Sequence, residues 1–289
     1  MVVSSFRRSI SLPKPTPPAP EKSLHVRSTS LPNRFHPVIA QLKDQIDGLK
    51  SWLFAPERST SDWVCNGLNR LKLMHQSLDD FIQLPQSRDS LRRRTHWVEN
   101  LLEHFLRFAD AFGIFRSALV ALREEMQVTQ VAIRSRRRES ESRLDAYVMC
   151  RRRLKKEVLP LLAVLREIAK KATVAAAEEE EEKELAGILR EVNLVTVGVS
   201  AAVFGAVVGS QGSSRSFMGL RRRKREERLK EFEEASGEEV RRLMKREEKT
   251  ALRRFEALEN CVAGFERESE SLFRSLIGTR VSLLNVLTQ

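Results

Sequence analysis

The 289-residue chain has three cysteines, one tyrosine, three tryptophans and five histidines, and these scarcities exclude several function classes. Cys65, Cys150 and Cys261 lie far apart with no paired spacing, which argues against a disulfide framework or a zinc site and for a reducing compartment with three buried or incidental thiols. None of His25, His36, His75, His96 and His104 stands at i and i+4 from another histidine or a cysteine, so no metal is expected. His75 falls on an apolar helical stripe and reads as a structural core histidine. G-x-S-x-G, P-loop, G-x-G-x-x-G and HExxH motifs are all missing, so no catalytic residue and no cofactor is expected. Acid pairs such as Asp79-Asp80 read as solvated helix surface. Six of the ten prolines precede residue 36, and later prolines stand only at Pro37, Pro56, Pro85 and Pro160.

Basic charge is plentiful. The formal charge of +12 and a pI near 10.0 suit an acidic partner such as nucleic acid, an anionic membrane or an acidic protein. Its distribution weakens that reading, because residues 1–36 hold six basic side chains against the single acid Glu21, a charge of +5 that leaves +7 for the rest. The tail combines Pro, Ser and basic groups with too little apolar surface to offset chain entropy, so residues 1–36 are expected to be disordered. The first twenty residues hold no acid and no apolar run. No secretory signal is expected there; an organelle transit peptide stays open, although the prolines would break its amphipathic helix.

A hexapeptide occurs twice in this tail, Arg8-Ser9-Ile10-Ser11-Leu12-Pro13 and Arg27-Ser28-Thr29-Ser30-Leu31-Pro32. Arg8 and Arg27 precede Ser11 and Ser30 by three positions, as basophilic kinases require, and Pro13 and Pro32 follow by two. Each copy has the pattern of a phosphoserine ligand for a 14-3-3-type adaptor.

Beyond the tail the periodicity is helical throughout. Val38, Leu42, Ile46, Leu49 and Leu53 form one face after Pro37; Val64, Leu68, Leu71, Leu78 and Ile82 form a second, stopped by Pro85. From about Arg88, Val98, Leu102, Phe105, Phe112, Leu119, Leu122 and Met126 predict one long third helix. A fourth, roughly 139–177, carries Leu144, Val148, Leu154, Val158, Leu161, Leu165 and Ile168, with a kink expected at Pro160. The acidic run Glu178–Glu182 reads as the start of a fifth helix. The segment 237–287 is again helical through Leu252, Phe255, Leu258, Val262, Phe265, Leu272 and Leu276. The fold class is all-α, an elongated bundle of about five or six helices in a single domain over residues 37–289, with a sub-boundary allowed near 176–184.

The clusters Arg136-Arg137-Arg138, Arg151-Arg152-Arg153 with Lys155-Lys156, and Arg221-Arg222-Arg223-Lys224-Arg225 could meet phosphates. Neighbouring acids offset them and no aromatic side chains interleave to stack bases, so solvated helix ends are favoured over nucleic-acid binding. The last cluster also fits a nuclear import signal or a lipid-facing patch. It follows Val192–Ser214, a run without a charge in which Ala201, Gly205 and Gly209 fall four apart, as in closely packed or membrane helices. Asn193, Thr196 and Ser200 oppose insertion, and a central buried helix is the favoured reading. A cytoplasmic location is expected, with membrane, nuclear and plastid locations as alternatives; the oligomeric state is left open.

Several blocks carry a family resemblance: His25–Pro37 (HVRSTSLPNRFHP), Leu78–Pro85 (LDDFIQLP), Trp97–Leu102 (WVENLL) and Leu272–Asn285 (LFRSLIGTRVSLLN). In wording and order they resemble the plant-specific Bypass-one-related family (domain of unknown function 241). That resemblance implies an all-α fold and a role in root and shoot development through restraint of a mobile root-derived signal. It brings no catalytic or binding residues. The extra hexapeptide at Arg8–Pro13 and the Gly-Ala-Val-rich stretch near residue 205 depart from the family pattern. The expected function is therefore a non-enzymatic regulator with a phosphorylatable docking tail. The alternatives are a membrane-associated scaffold using residues 192–210 and an enzyme of small signal-molecule metabolism.

Overall fold

The computed structural model describes residues 36–55, 60–135, 139–174, 183–209 and 229–288. These fold into nine α-helices: α1 (Pro37–Leu53), α2 (Ser61–Gln83), α3 (Pro85–Arg92), α4 (Thr95–Arg134), α5 (Ser140–Val174), α6 (Lys183–Val208), α7 (Lys230–Glu234), α8 (Gly237–Arg246) and α9 (Glu248–Thr288). No strand occurs among the described residues, so the chain is all-α. Local chemistry sets several ends. Pro37 opens α1 after His36, whose ring accepts from Val38 N at 3.3 Å. The Thr60 hydroxyl accepts from Trp63 N at 3.2 Å and Ser236 from Glu239 N at 3.4 Å, each satisfying a donor that the first helical turn leaves free. Pro85 holds Leu84 extended (ψ 132°), which ends α2 and begins α3 in one step.

Two long helices form the spine. At about 1.5 Å per residue α4 and α9 each run roughly 60 Å, and they pack along one another. Arg116–Glu270 (2.7 Å), Arg123–Glu266 (3.1 Å) and Arg134–Glu256 (2.7 Å) tie them, with Gln127 and Gln130 both donating to Glu259 at 2.7 Å. The partner's number falls as the first rises, so the pair is antiparallel. On the other side, Lys43–Glu184 (2.7 Å) and Lys50–Glu191 (3.2 Å) are one heptad apart on both helices and rise together, so α1 and α6 run parallel. Packing closes a ring in which α9 lies on α2 and α4, α4 on α5, and α6 on α5, α1 and α2. The Phe204 ring of α6 reaches Phe112 (5.2 Å) and Phe115 (4.7 Å) of α4, completing one continuous apolar core.

Close approaches at two glycines fix the end of α1 against α2 and α6. Trp52 stacks on Trp63 with centroids 4.1 Å apart and donates its indole N–H to Trp63 O at 3.2 Å. The Trp52 ring also covers Gly67, where a Cβ would meet it at 2.2 Å. Leu53 lies against Gly198 of α6 in the same way, 2.9 Å from an added Cβ. The contact at Gly67 demands a missing side chain, because the stacked Trp52 ring cannot give way as a leucine methyl can.

The structure departs from the sequence expectations in particular places. The single long third helix is two, α3 and α4, broken at Arg93–Arg94, where Arg94 adopts φ −120° and ψ 50°. Arg92 Nε donates to Val286 O at 3.3 Å, so α3 is turned to follow the end of α9. The last helical segment also divides, at Glu247 (φ −148°, ψ 70°), whose carbonyl accepts the first bonds of α9. Hence the count exceeds five or six. α5 runs through Pro160, which is exposed. The acidic run 178–182 lies outside the described residues. Asp79 is half-buried against α9 rather than solvated, and burial raises its carboxyl to about 6 despite hydrogen bonds with Thr279 and Ser282.

Candidate functional site

Helices α4, α5 and α6 meet at a cavity of about 360 Å³. α4 brings Trp97, Asn100, Leu101 and His104 to it, spaced as successive turns of one face. The end of α5 adds Lys170, Lys171 and Ala172, and α6 adds Arg190 and Asn193. The lining divides by depth: Leu101, His104, Ala172 and Asn193 are buried, Trp97 is half-buried, and Asn100 with the three cations is exposed. An apolar wall therefore lies beneath a basic opening.

Two buried polar atoms in this lining have no partner. Asn193 is 2% exposed and its Oδ1 accepts no hydrogen bond; His104 is 5% exposed and its Nδ1 is likewise unpaired. Burial, then the charges of Lys171 and Arg107, pull His104 down to about 4, so at neutral pH it is an uncharged imidazole with one donor and one acceptor nitrogen. Lys170 pairs with Glu167 at 2.9 Å, whereas Lys171 and Arg190 form no ion pair among the described residues.

The groups that chemistry would recruit as nucleophiles or bases are tuned otherwise. Burial raises Cys65 to about 11 and raises Cys150 and Cys261 as well, so all three thiols stay protonated. His75 is fully buried and pulled down to about 3. Among the described residues, no three His, Cys, Asp or Glu side chains gather as metal ligands.

The residues singled out from sequence distribute as follows. Arg8, Ser11, Pro13, Arg27, Ser30 and Pro32 lie outside the described residues, as do Arg136–Arg138 and Arg221, Arg222, Arg223, Lys224 and Arg225. Ala201, Gly205 and Gly209 share the half-buried outer face of α6, but a Cβ on Gly205 would have nothing within 4 Å. The close approach on α6 is at Gly198 instead, and Gly209 serves to end the helix with φ 58°. Val192–Val208 belongs to Glu184–Val208, a stretch long and apolar enough to cross a membrane, with mean hydropathy 1.8 in its most apolar part, yet 78% of that part is buried in the bundle. Its polar residues have uses there: Thr196 bonds His75 at 3.1 Å, and Ser200 donates to Thr196 O at 2.6 Å.

Arg151 has a role that its cluster concealed. It donates to Ala235 O (2.6 Å) and Phe232 O (2.7 Å), and its guanidinium lies 5.6 Å from the Phe232 ring centre. Buried Tyr147 donates to the same Ala235 carbonyl at 2.7 Å. Together they cap α7 and pin it to α5. The cavity itself escaped sequence reasoning, since three separated segments build it from ordinary helix-surface residues. The one available signal was Asn193, an amide inside a charge-free run.

Comparison with curated proteins and with solved structures gave no match. The sequence profile of the family described as Protein BPS1 matches residues 67–286, from within α2 to near the end of α9. The match covers most of the folded helices and begins after both hexapeptides and after the His25–Pro37 block, and on its strength the chain belongs to the Protein BPS1 family.

Proposed function

We propose that this chain is a non-enzymatic regulatory protein of plant root and shoot development, whose tail docks a phosphoserine-binding adaptor of the 14-3-3 type. The family match over residues 67–286 carries the regulatory reading. Protonated thiols and neutral buried histidines support a structural rather than a catalytic use of the reactive side chains. The developmental role rests on the resemblance to the Bypass-one-related family. The docking role rests on the twin hexapeptides. Ser11 and Ser30 are nineteen positions apart, and an extended proline-rich linker at roughly 3 Å per residue would let both reach the two grooves of one dimeric adaptor. Two linked sites raise avidity by about 10² to 10⁴ without new contacts. Ser30, inside the longer signature block, is the primary site in this reading. The test is adaptor recovery from kinase-treated protein against Ser11→Ala, Ser30→Ala protein. Loss in the variant supports docking; equal recovery sinks it.

In this proposal α6 works as a core helix. A scaffold that inserted residues 192–210 into lipid would give up the His75–Thr196 bond and the packing of Phe204 on Phe112 and Phe115. Alkaline carbonate extraction separates the two: release into the supernatant supports the core role, and retention in the pellet supports the membrane scaffold.

A further inference from the structure

We infer that the cavity between α4, α5 and α6 binds a small organic anion with an apolar body, a carboxylate, and a hydroxyl or N–H group. Its volume of about 360 Å³ lies within the range of small-molecule sites. Lys171 and Arg190 stand at the opening without an ion pair among the described residues, so they favour an anion over a cation. Trp97 and Leu101 offer an apolar wall, which inorganic phosphate cannot use.

The buried end sets the remaining requirement. Asn193 lines the cavity with its Oδ1 buried and unpaired, and since an amide oxygen only accepts, a donor group on the ligand would satisfy it. His104 Nδ1, also unpaired, takes either role according to its tautomer. A second basic cavity, of about 310 Å³ between α5, α6 and α7, lacks this combination: Arg151 there already bonds the Ala235 and Phe232 carbonyls, and beside Arg152 and Lys155 its lining holds no buried polar side-chain atom without a partner. The inference does not depend on adaptor docking, because every group it uses lies in the helical body.

Calorimetry on the full chain tests it with para-hydroxyphenylacetate as probe, alongside its primary amide, phenylacetate and inorganic phosphate. The hydroxylated anion should bind in the micromolar to millimolar range and quench Trp97 fluorescence. The amide and phosphate should bind at least about tenfold more weakly, the worth of one charge-assisted hydrogen bond. Lys171→Gln and Arg190→Gln should each weaken the probe by about tenfold with circular dichroism unchanged, since both side chains are exposed. Asn193→Ala, if it folds with a wild-type spectrum, should bind para-hydroxyphenylacetate and phenylacetate equally. No binding by any probe, affinity unaltered in both charge variants, or phosphate bound as tightly as the organic anion would each overturn the proposal.

Discussion

Replacing His75 by leucine should remove much of the fold's sensitivity to acid. The imidazole is fully buried, with its Nε2 3.1 Å from Thr196 Oγ1 and the Phe105 ring edge-on at 5.5 Å. The Thr196 hydroxyl spends its hydrogen on Val192 O at 2.7 Å, so its oxygen accepts and His75 must donate from Nε2. A second proton would have to sit on Nδ1, which has no partner. Burial accordingly lowers the folded value from 6.5 to about 3. The unfolded chain takes up the proton as pH falls through 6.5 while the folded chain refuses it until about 3, so this stabilisation is complete above 6.5 and is lost on acidification. At about 1.4 kcal/mol per pH unit, going from pH 7 to pH 5 costs roughly 2 kcal/mol through this one group. His104, lowered to about 4, acts in the same direction, and Asp79, raised to about 6, acts in the opposite one; both persist in the variant and cancel in the comparison. Urea unfolding followed by circular dichroism at the two pH values gives the measurement. The His75→Leu protein, though about 1 kcal/mol weaker at pH 7 for the lost hydrogen bond, should lose roughly 2 kcal/mol less than wild type on going to pH 5. An equal loss in both proteins would refute the burial argument.

Gly67→Ala should cost about 1–3 kcal/mol by forcing Trp52 off its seat, and the near-ultraviolet signal of the Trp52–Trp63 stack should collapse with it. A wild-type spectrum would show that the corner repacks freely. Arg151→Ala should cost about 2–4 kcal/mol, because the carbonyls of Phe232 and Ala235 lose charge-assisted donors; hydrogen exchange should rise first in α7 and α8. Uniform exchange across the bundle would contradict the capping role. Asp79→Asn should stabilise the fold by about 1 kcal/mol above pH 6, a figure reduced for partial solvent screening. Burial raises the folded carboxyl from 3.8 to about 6, so Asp79 favours folding at low pH and loses that contribution as pH rises through 6. Chemical denaturation at pH 5 and pH 8 should show the benefit growing with pH, and a benefit that shrinks would reverse the sign of the argument.

The apolar stripes were legible because a 3.6-residue period states burial directly. In α2, all five positions marked from sequence, from Val64 to Ile82, are buried; only Val38, Val148 and Leu252 among those marked elsewhere are half-buried. The breaks were not legible where no proline or glycine causes them. Arg93–Arg94 and Glu247 interrupt helical sequences of unremarkable propensity, and at the first break the visible cause is tertiary, the pull of Arg92 toward Val286 O at the far end of the chain. Arg151 and Asp79 show the same limit in electrostatics. A charge cluster predicts solvent exposure on average, but which member turns inward depends on a carbonyl or hydroxyl supplied by a helix more than eighty positions away. The cavity is the extreme case, since its lining comes from three separate stretches of chain that only the packing of α4, α5 and α6 brings together.

Helix α6 joins these threads. Composition alone makes it resemble a membrane span, and its small residues resemble a helix-pairing face. Its polar residues separate the alternatives by what each one meets. Thr196 meets His75 of α2, Ser200 is satisfied by its own helix, and Asn193 opens on the cavity beside His104 of α4. A helix bound for lipid would keep the bonds of Thr196 and Ser200 to their own backbone but would lose the His75 contact and bear the desolvation of Asn193; a core helix keeps the His75 bond and leaves Asn193 as an acceptor awaiting a donor. The Thr196–His75 bond is what argues against a membrane role, whereas Asn193 gives the cavity its chemistry, and a ligand meeting Asn193 would bind α6 to α4 and α5 at their common end.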